Sequence, residues 1–312
     1  RAMIGSIGLL NSLAATSSSD LAGYKTLVMV YLNGGADSLG LLVPTSPSEY
    51  SAYKDLRQHL SVDLAELINL GSGDHGAPSY CRNMVNLFDA GKLSWVSNVG
   101  PLKQPTTKAM IKNSNRAMPN FIGSHNSQTI MWQSGTVNAS AREGWGAKML
   151  ELLHQTSPFI SPNISLDRAQ LFTSTLARPT FSVNPEGVQN LASLTPSDVG
   201  ENPELDLFYS MQNLDLSAVL DRELASRNLS TLESSSALSQ TLENIGDASI
   251  DYPDDSLIEG QLFQRQLKMA ARLIEAAPQL EHQRQVLMVQ MHAFDTHDNQ
   301  DRILPGLISS LF

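Results

Sequence analysis

The sequence has only one cysteine, Cys81, in 312 residues. A single cysteine excludes an internal disulfide and any zinc or iron–sulfur site built from several cysteines, and we expect Cys81 to be a small buried hydrophobic side chain. Basic residues are also scarce, because 21 Lys and Arg are set against 31 Asp and Glu, which gives a net charge of −10. Proteins that bind nucleic acid need clustered Lys and Arg to neutralise phosphates, so we expect no nucleic-acid partner.

Long apolar runs and several common catalytic motifs are missing as well. No apolar run reaches the ~20 residues that a membrane-spanning helix requires, so we expect no stable membrane span. The chain contains no Gly-x-x-x-x-Gly-Lys, Gly-x-Ser-x-Gly or His-Glu-x-x-His pattern. These absences disfavour a P-loop nucleotide-binding protein, an α/β-hydrolase with a nucleophile elbow and a zinc protease of the zincin type.

The first twenty residues have the layout of an export signal. An apolar stretch with small residues covers 2–15 and is followed by a polar run that ends at Asp20. This layout is typical of the apolar region and small-residue end of a secretory signal, with the charged start mostly missing. The alternative is an amphipathic first helix. We leave residues 1–20 out of the fold prediction as an export signal remnant and expect a periplasmic or secreted protein.

The rest of the chain alternates between predicted strands and predicted helices. Apolar runs predict strands at 24–32, 93–99, 163–166 and 286–291, and helical spacing predicts helices at 48–60, 80–90, 125–133, 145–154 and 303–312. Residues 102–123 and 167–202 are predicted loops, and residues around 203–281 a mostly helical insertion. The first strand is expected to be buried on both faces, as in a parallel sheet. The alternation predicts one α/β domain over 21–312, a three-layer sandwich whose mostly parallel sheet carries helices on both faces.

Residues with metal-binding chemistry follow two of these predicted strands. In open α/β sheets, ligands bind at the carboxyl ends of the strands. Asp37 follows the first strand through Gly34 and Gly35, and a carboxylate there suits a divalent cation as a hard oxygen ligand. The alternative is that Asp37 caps the next helix.

Asp295 and His297 follow the last strand and form a second candidate pair. Two residues apart in an extended segment, their side chains point to the same side, where they can offer one oxygen and one nitrogen to a metal. The alternative is a turn in which Asp295 bonds its own backbone.

Ser124 precedes the helix predicted at 125–133. A serine at a helix N-terminus lies among backbone N–H groups at the positive end of the helix dipole. These surroundings suit a nucleophile that attacks a phosphate- or sulfate-like group. The alternative is a plain N-cap.

Five short segments carry a resemblance to a known family: Tyr-Leu-Asn-Gly-Gly-Ala-Asp-Ser at 31–38, Val-Gly-Pro-Leu at 99–102, Ser-His-Asn-Ser-Gln at 124–128, Gly-Trp-Gly at 144–146 and Phe-Asp-Thr-His-Asp-Asn-Gln at 294–300. In this order they resemble the DUF1501 family of exported bacterial proteins, which is placed near the alkaline phosphatase and sulfatase superfamily. The resemblance implies an alkaline phosphatase-like fold and export by the twin-arginine route.

The same resemblance implies roles for the candidate residues. Asp37 would be the first-strand metal ligand, Asp295 and His297 further metal ligands, and Ser124 the position closest to the nucleophile. The metal would be a divalent ion, with zinc favoured over calcium, magnesium or manganese. The family's later Phe-Gly-Arg and Asp-His-Gly-Trp segments are not among these residues, so we expect the predicted domain to be incomplete at its C-terminal end.

Two functions remain open from the sequence. The first is a metal-dependent hydrolase that acts on a small anionic phosphate or sulfate ester. The second is a non-catalytic protein that keeps the phosphatase-like fold and binds or assembles with a partner protein of the cell envelope. Fold alone does not decide between them.

Overall fold

The computed structural model describes residues 23–71, 73–113, 118–153, 159–178, 180–188, 200–214, 218–248 and 257–312. Within these ranges the α-helices are α1 (Pro47–Arg57), α2 (Arg82–Asp89), α3 (Lys108–Asn113), α4 (His125–Ser134), α5 (Trp145–Leu152), α6 (Pro203–Gln212), α7 (Val219–Ile245), α8 (Ile258–Glu275) and α9 (Gln300–Ser309). The strands are β1 (Lys25–Leu32), β2 (Val43–Pro44), β3 (Leu67–Asn69), β4 (His75–Pro78), β5 (Asn163–Ser165), β6 (Phe181–Ser182) and β7 (Arg284–Met291).

The main sheet has four strands in the order β1-β7-β5-β6. β5 runs parallel to both β6 and β7. β1 also runs parallel to β7, because Lys25 N donates to Gln283 O at one end and Asn33 N donates to Met291 O at the other. The chain therefore folds as a mixed α/β protein with a parallel four-stranded sheet, and the finer prediction of a three-layer sandwich stays a prediction.

The predicted strands at 24–32, 163–166 and 286–291 are confirmed as β1, β5 and β7. β7 is buried at every residue, as its apolar sequence predicts for a central parallel strand. The prediction that the first strand is buried on both faces is wrong. β1 is the edge strand of this sheet, so its side chains are mostly half-buried and Val30 is 41% exposed.

The strand predicted at 93–99 is also wrong, because these residues form no regular structure. Val96 and Val99 are mostly exposed. β propensity reflects packing against neighbouring strands, and this segment pairs with no strand in the described ranges. The loop predicted at 102–123 is partly wrong, since α3 lies within it.

The helices predicted at 48–60, 80–90, 125–133, 145–154 and 303–312 are confirmed as α1, α2, α4, α5 and α9, with ends shifted by a few residues. α4 begins at a serine N-cap and ends at Gly135, which is in the left-handed conformation. The described part of 203–281 contains α6, α7 and α8, and the prediction that this stretch is an insertion stays a prediction. The export signal predicted at 1–20 lies outside the described residues.

The chain divides into two compact units. The first comprises Arg1–Met29, Pro101–Tyr252 and Arg265–Val289. Its core contains Phe172, which meets Trp145 edge to face with ring centroids 4.7 Å apart. His282 is buried, and its Nε2 lies 2.9 Å from Ile160 O. Burial lowers the pKa of His282, although the hydrogen bond to Ile160 opposes this.

The second unit comprises Val30–Gly100, Pro253–Gln264 and Gln290–Phe312. It contains a small antiparallel sheet in the order β2-β4-β3. α9 packs against the short 3₁₀ helix Ser79–Cys81, and Leu304, Leu307 and Ile308 of α9 are buried. Cys81 is buried here as a free thiol, as the sequence predicts.

Cys81 is expected to resist thiol reagents in the folded protein. Burial raises the pKa of its thiol to about 12, so at about pH 8 the reactive thiolate is on the order of one part in ten thousand. We expect a disulfide reagent to label native protein at least about a hundredfold more slowly than urea-unfolded protein. Labelling is followed by absorbance, and equal rates in the two states would contradict the buried position.

Candidate metal centre

The loops that follow β1 and β7 are in direct backbone contact within the second unit. Asn33 N donates to Met291 O at 2.8 Å, and Phe294 N donates to Asn33 O at 3.2 Å. Gly34 has φ +119°, and a Cβ built on it would lie 2.4 Å from Asp295 N. Because only glycine fits such an approach, Gly34 allows the Asp37 loop to lie against the start of the Asp295 loop.

The Asp37 carboxylate is largely buried and has two side-chain partners. Arg57, the last residue of α1, forms an ion pair with Oδ2 of Asp37, and the two side chains are 16% and 12% exposed. Gln300, the first residue of α9, donates through Nε2 to the same oxygen at 2.5 Å. Asp37 occupies the N-cap position of the 3₁₀ helix Ser38–Gly40 but makes no capping hydrogen bond. Its carboxylate is therefore held by Arg57 and Gln300 and does not act as a helix cap.

Asp295 and His297 contact each other, although the segment is not extended as predicted. Nε2 of His297 lies 3.0 Å from Oδ2 of Asp295, and the two side chains are 80% and 44% exposed. His297 and Asn299 both have positive φ, so the segment turns after Thr296 instead of continuing extended. The preceding His292 is tied to the other loop, since its Nδ1 lies 3.1 Å from Nδ2 of Asn33.

Ser124 is the N-cap of α4, in the first unit. Its Oγ accepts a hydrogen bond from Ser127 N at 3.5 Å. The capping interpretation is confirmed by this contact. The nucleophile role stays a prediction.

Sequence reasoning missed Arg57 and Gln300, although both contact a predicted site residue. Gln300 ends the segment 294–300, which also contains Asp295 and His297, so the sequence alone shows that it is close to the candidate pair. Arg57 lies 20 residues from Asp37 on a different element, and no local pattern links the two.

Tyr80 also lies near Asp37. Burial raises the pKa of the Tyr80 hydroxyl, and the charges of Cys81 and Asp37 raise this pKa further.

Within the part of the chain that the structure describes, no group of three or more His, Cys, Asp or Glu side chains is arranged to hold a metal ion. The helices of that part likewise include none with the length and apolar content to cross a membrane. Comparison of the chain with protein-family models, curated proteins and solved structures finds no match.

Proposed function

We propose that the chain is an exported, metal-dependent hydrolase of phosphate or sulfate esters with an alkaline phosphatase-like, three-layer fold. One observation carries the proposal: Asp37 and the Asp295–His297 pair follow two adjacent parallel strands whose exit loops are hydrogen-bonded to each other. This edge of a parallel sheet is where α/β proteins bind ligands. Carboxylate and imidazole groups are the ligand types that metal-assisted hydrolysis uses.

The donor chemistry of Asp295 and His297 fits a zinc ion. The two side chains are exposed to solvent, and the imidazole Nε2 already contacts a carboxylate oxygen. Asp37 would supply a further oxygen. Zinc in proteins generally takes about four ligands, so a complete site needs donors beyond these three. When bound, the ion would polarise the ester and stabilise its oxygens.

Arg57 and Gln300 position the Asp37 carboxylate in this proposal. Both donate to Oδ2 of Asp37. These two hydrogen bonds hold the carboxylate in one orientation and prevent its free rotation. The Arg57 guanidinium also places a positive charge near the edge of the sheet, and guanidinium groups pair well with phosphate and sulfate oxygens. A metal bound to Oδ2 has to compete with Arg57 for that oxygen.

Ser124 is the proposed nucleophile. Its place at the N-terminus of the ten-residue helix α4 suits an anionic ester, since backbone N–H groups and the helix dipole favour negative charge there. Ser124 Oγ would attack the phosphorus or sulfur atom, the alcohol would leave, and water would then hydrolyse the ester formed on Ser124.

The metal site is tested by zinc titration of the wild type and four variants. We expect Asp37→Asn, Asp295→Asn and His297→Gln each to weaken zinc binding by at least about tenfold. Asp298→Asn removes a neighbouring carboxylate outside the proposed site and should leave binding unchanged. Arg57→Met should tighten binding, because it removes the competitor for Asp37. Zinc binding that is the same in all variants would contradict the proposal.

Catalysis is tested by turnover of aryl phosphates and aryl sulfates in the presence of zinc. Ser124→Asn should abolish turnover while keeping the fold, because asparagine caps a helix as well as serine but has no hydroxyl group. Ser127→Ala serves as the matched control on the same helix. Zinc binding without any turnover would instead favour the non-catalytic envelope protein.

A further inference from the structure

Two helices of the first unit carry an unusually exposed apolar surface. On α6, Leu207 and Met211 are four residues apart, which places them on one side of the helix, and Leu214 follows two residues after the helix ends. On α7, Val219, Leu220 and Leu224 are exposed in the first two turns. All six side chains are more than half exposed. We call these six residues the exposed apolar face.

The packing of α6 and α7 leaves this face uncovered. The helices contact each other, and Asn228 Nδ2 donates to Gln212 Oε1 at 3.1 Å. Their inward positions, such as Leu205 and Ala225, are buried. Leu220 and Leu224 lie on the part of α7 that precedes this contact. Apolar surface concentrated in this way, outside a packed core, is typical of an interaction site.

The stretch that carries the face is also acidic. Residues 201–224 contain six Asp and Glu and one basic residue, Arg222, for a net charge of −5, which is half of the −10 carried by all 312 residues. Glu201, Glu204 and Asp221 are exposed, whereas the exposed Glu223 pairs with Arg227 of the same helix at 2.7 Å. The apolar side chains are therefore interspersed with acidic groups on the same two helices.

We infer that the exposed apolar face binds a cationic amphipathic helix of a partner protein. Such a helix offers leucine-like anchors to the apolar side chains and Lys or Arg to the acidic groups beside them. In a contact between two copies of this chain, the same stretch with a net charge of −5 would lie on both sides, so the two copies would repel each other. An anionic membrane would be repelled for the same reason. The inference does not depend on the proposed hydrolysis, because none of these residues belongs to the proposed metal site.

The binding test uses a fluorescent amphipathic peptide of leucines at helical spacing with lysines at the other positions. Its anisotropy is measured against the full chain. Two matched peptides serve as controls: one with glutamate in place of lysine, and one with the lysine and leucine order scrambled. We expect the first peptide to bind at least about tenfold more tightly than either control, and more weakly at high salt.

Surface variants identify where the peptide binds. Leu220→Gln with Leu224→Gln should weaken binding at least about tenfold, since central apolar anchors carry much of the binding energy. Leu56→Gln with Leu176→Gln, two equally exposed leucines elsewhere, should leave binding unchanged. Circular dichroism checks that each variant keeps its fold. Equal weakening in both variants, equal binding of the scrambled peptide, self-association of the chain or binding to anionic vesicles would each overturn the inference.

Discussion

Gly34→Ala is expected to destabilise the protein by about 4 kcal/mol or more, whereas Gly35→Ala should cost only about 1–2 kcal/mol. Both glycines have strongly positive φ, at +119° and +107°, so alanine strains the backbone at either position. Only at Gly34 does the added Cβ also overlap another chain segment, because it would lie 2.4 Å from Asp295 N and 3.0 Å from the carbonyl carbon of Phe294. At Gly35 it meets no heavy atom within 4 Å.

Urea denaturation followed by circular dichroism measures this difference, with Gly35→Ala as the control for backbone strain alone. The excess cost at Gly34 then reports the close approach of the β1 loop to Asp295. Zinc titration of Gly34→Ala gives a second readout, since displacement of Asp295 should weaken binding at the proposed site. Equal unfolding free energies in the two variants would show that the loops do not approach as closely as the structure has them.

The parts of the fold that were predictable are those whose sequence signals are local. The run 286–291 is apolar except for Gln290, and it forms most of the fully buried central strand β7. Ser124 and Gly135 bracket α4 as a standard N-cap and C-cap pair. The segment 93–99 has a similar apolar character but forms no strand, because strand formation depends on a neighbour that the local sequence does not specify.

The same distinction separates the predictable from the unpredictable parts of the candidate site. The contact between Asp295 and His297 spans only two residues, so it is local, although it forms in a turn and not in the extended segment that the spacing argument assumes. The contacts of Asp37 with Arg57 and Gln300 span 20 and 263 residues. They depend on how α1 and α9 pack in the second unit, and no periodicity in the chain encodes that arrangement. Capping of a short helix was the simplest local interpretation of Asp37, and these long-range partners replace it.

Gly144→Ala is expected to be the most damaging glycine substitution in the first unit, at about 3 kcal/mol or more. Gly144 is the N-cap of α5, and its N–H donates to Ser174 O at 2.8 Å. A Cβ on Gly144 would lie 1.9 Å from Leu171 O and 2.4 Å from Phe172 Cα. These are backbone atoms, so the overlap cannot be relieved by a change of side-chain rotamer. The backbone that carries Phe172, and with it the contact between Phe172 and Trp145, has to move.

The matched control for this variant is Gly123→Ala, because Gly123 has no positive φ and an added Cβ there meets no heavy atom within 4 Å. Its unfolding free energy should stay within about 0.5 kcal/mol of the wild type. Tryptophan fluorescence adds a local readout, since displacement of Phe172 changes the surroundings of the Trp145 indole. Gly146→Ala should fall between the two, because its Cβ would meet the Phe172 ring at 2.5 Å and a ring can shift more readily than backbone. A Gly144→Ala protein as stable as Gly123→Ala would mean that α5 does not pack against residues 171–172 at this distance.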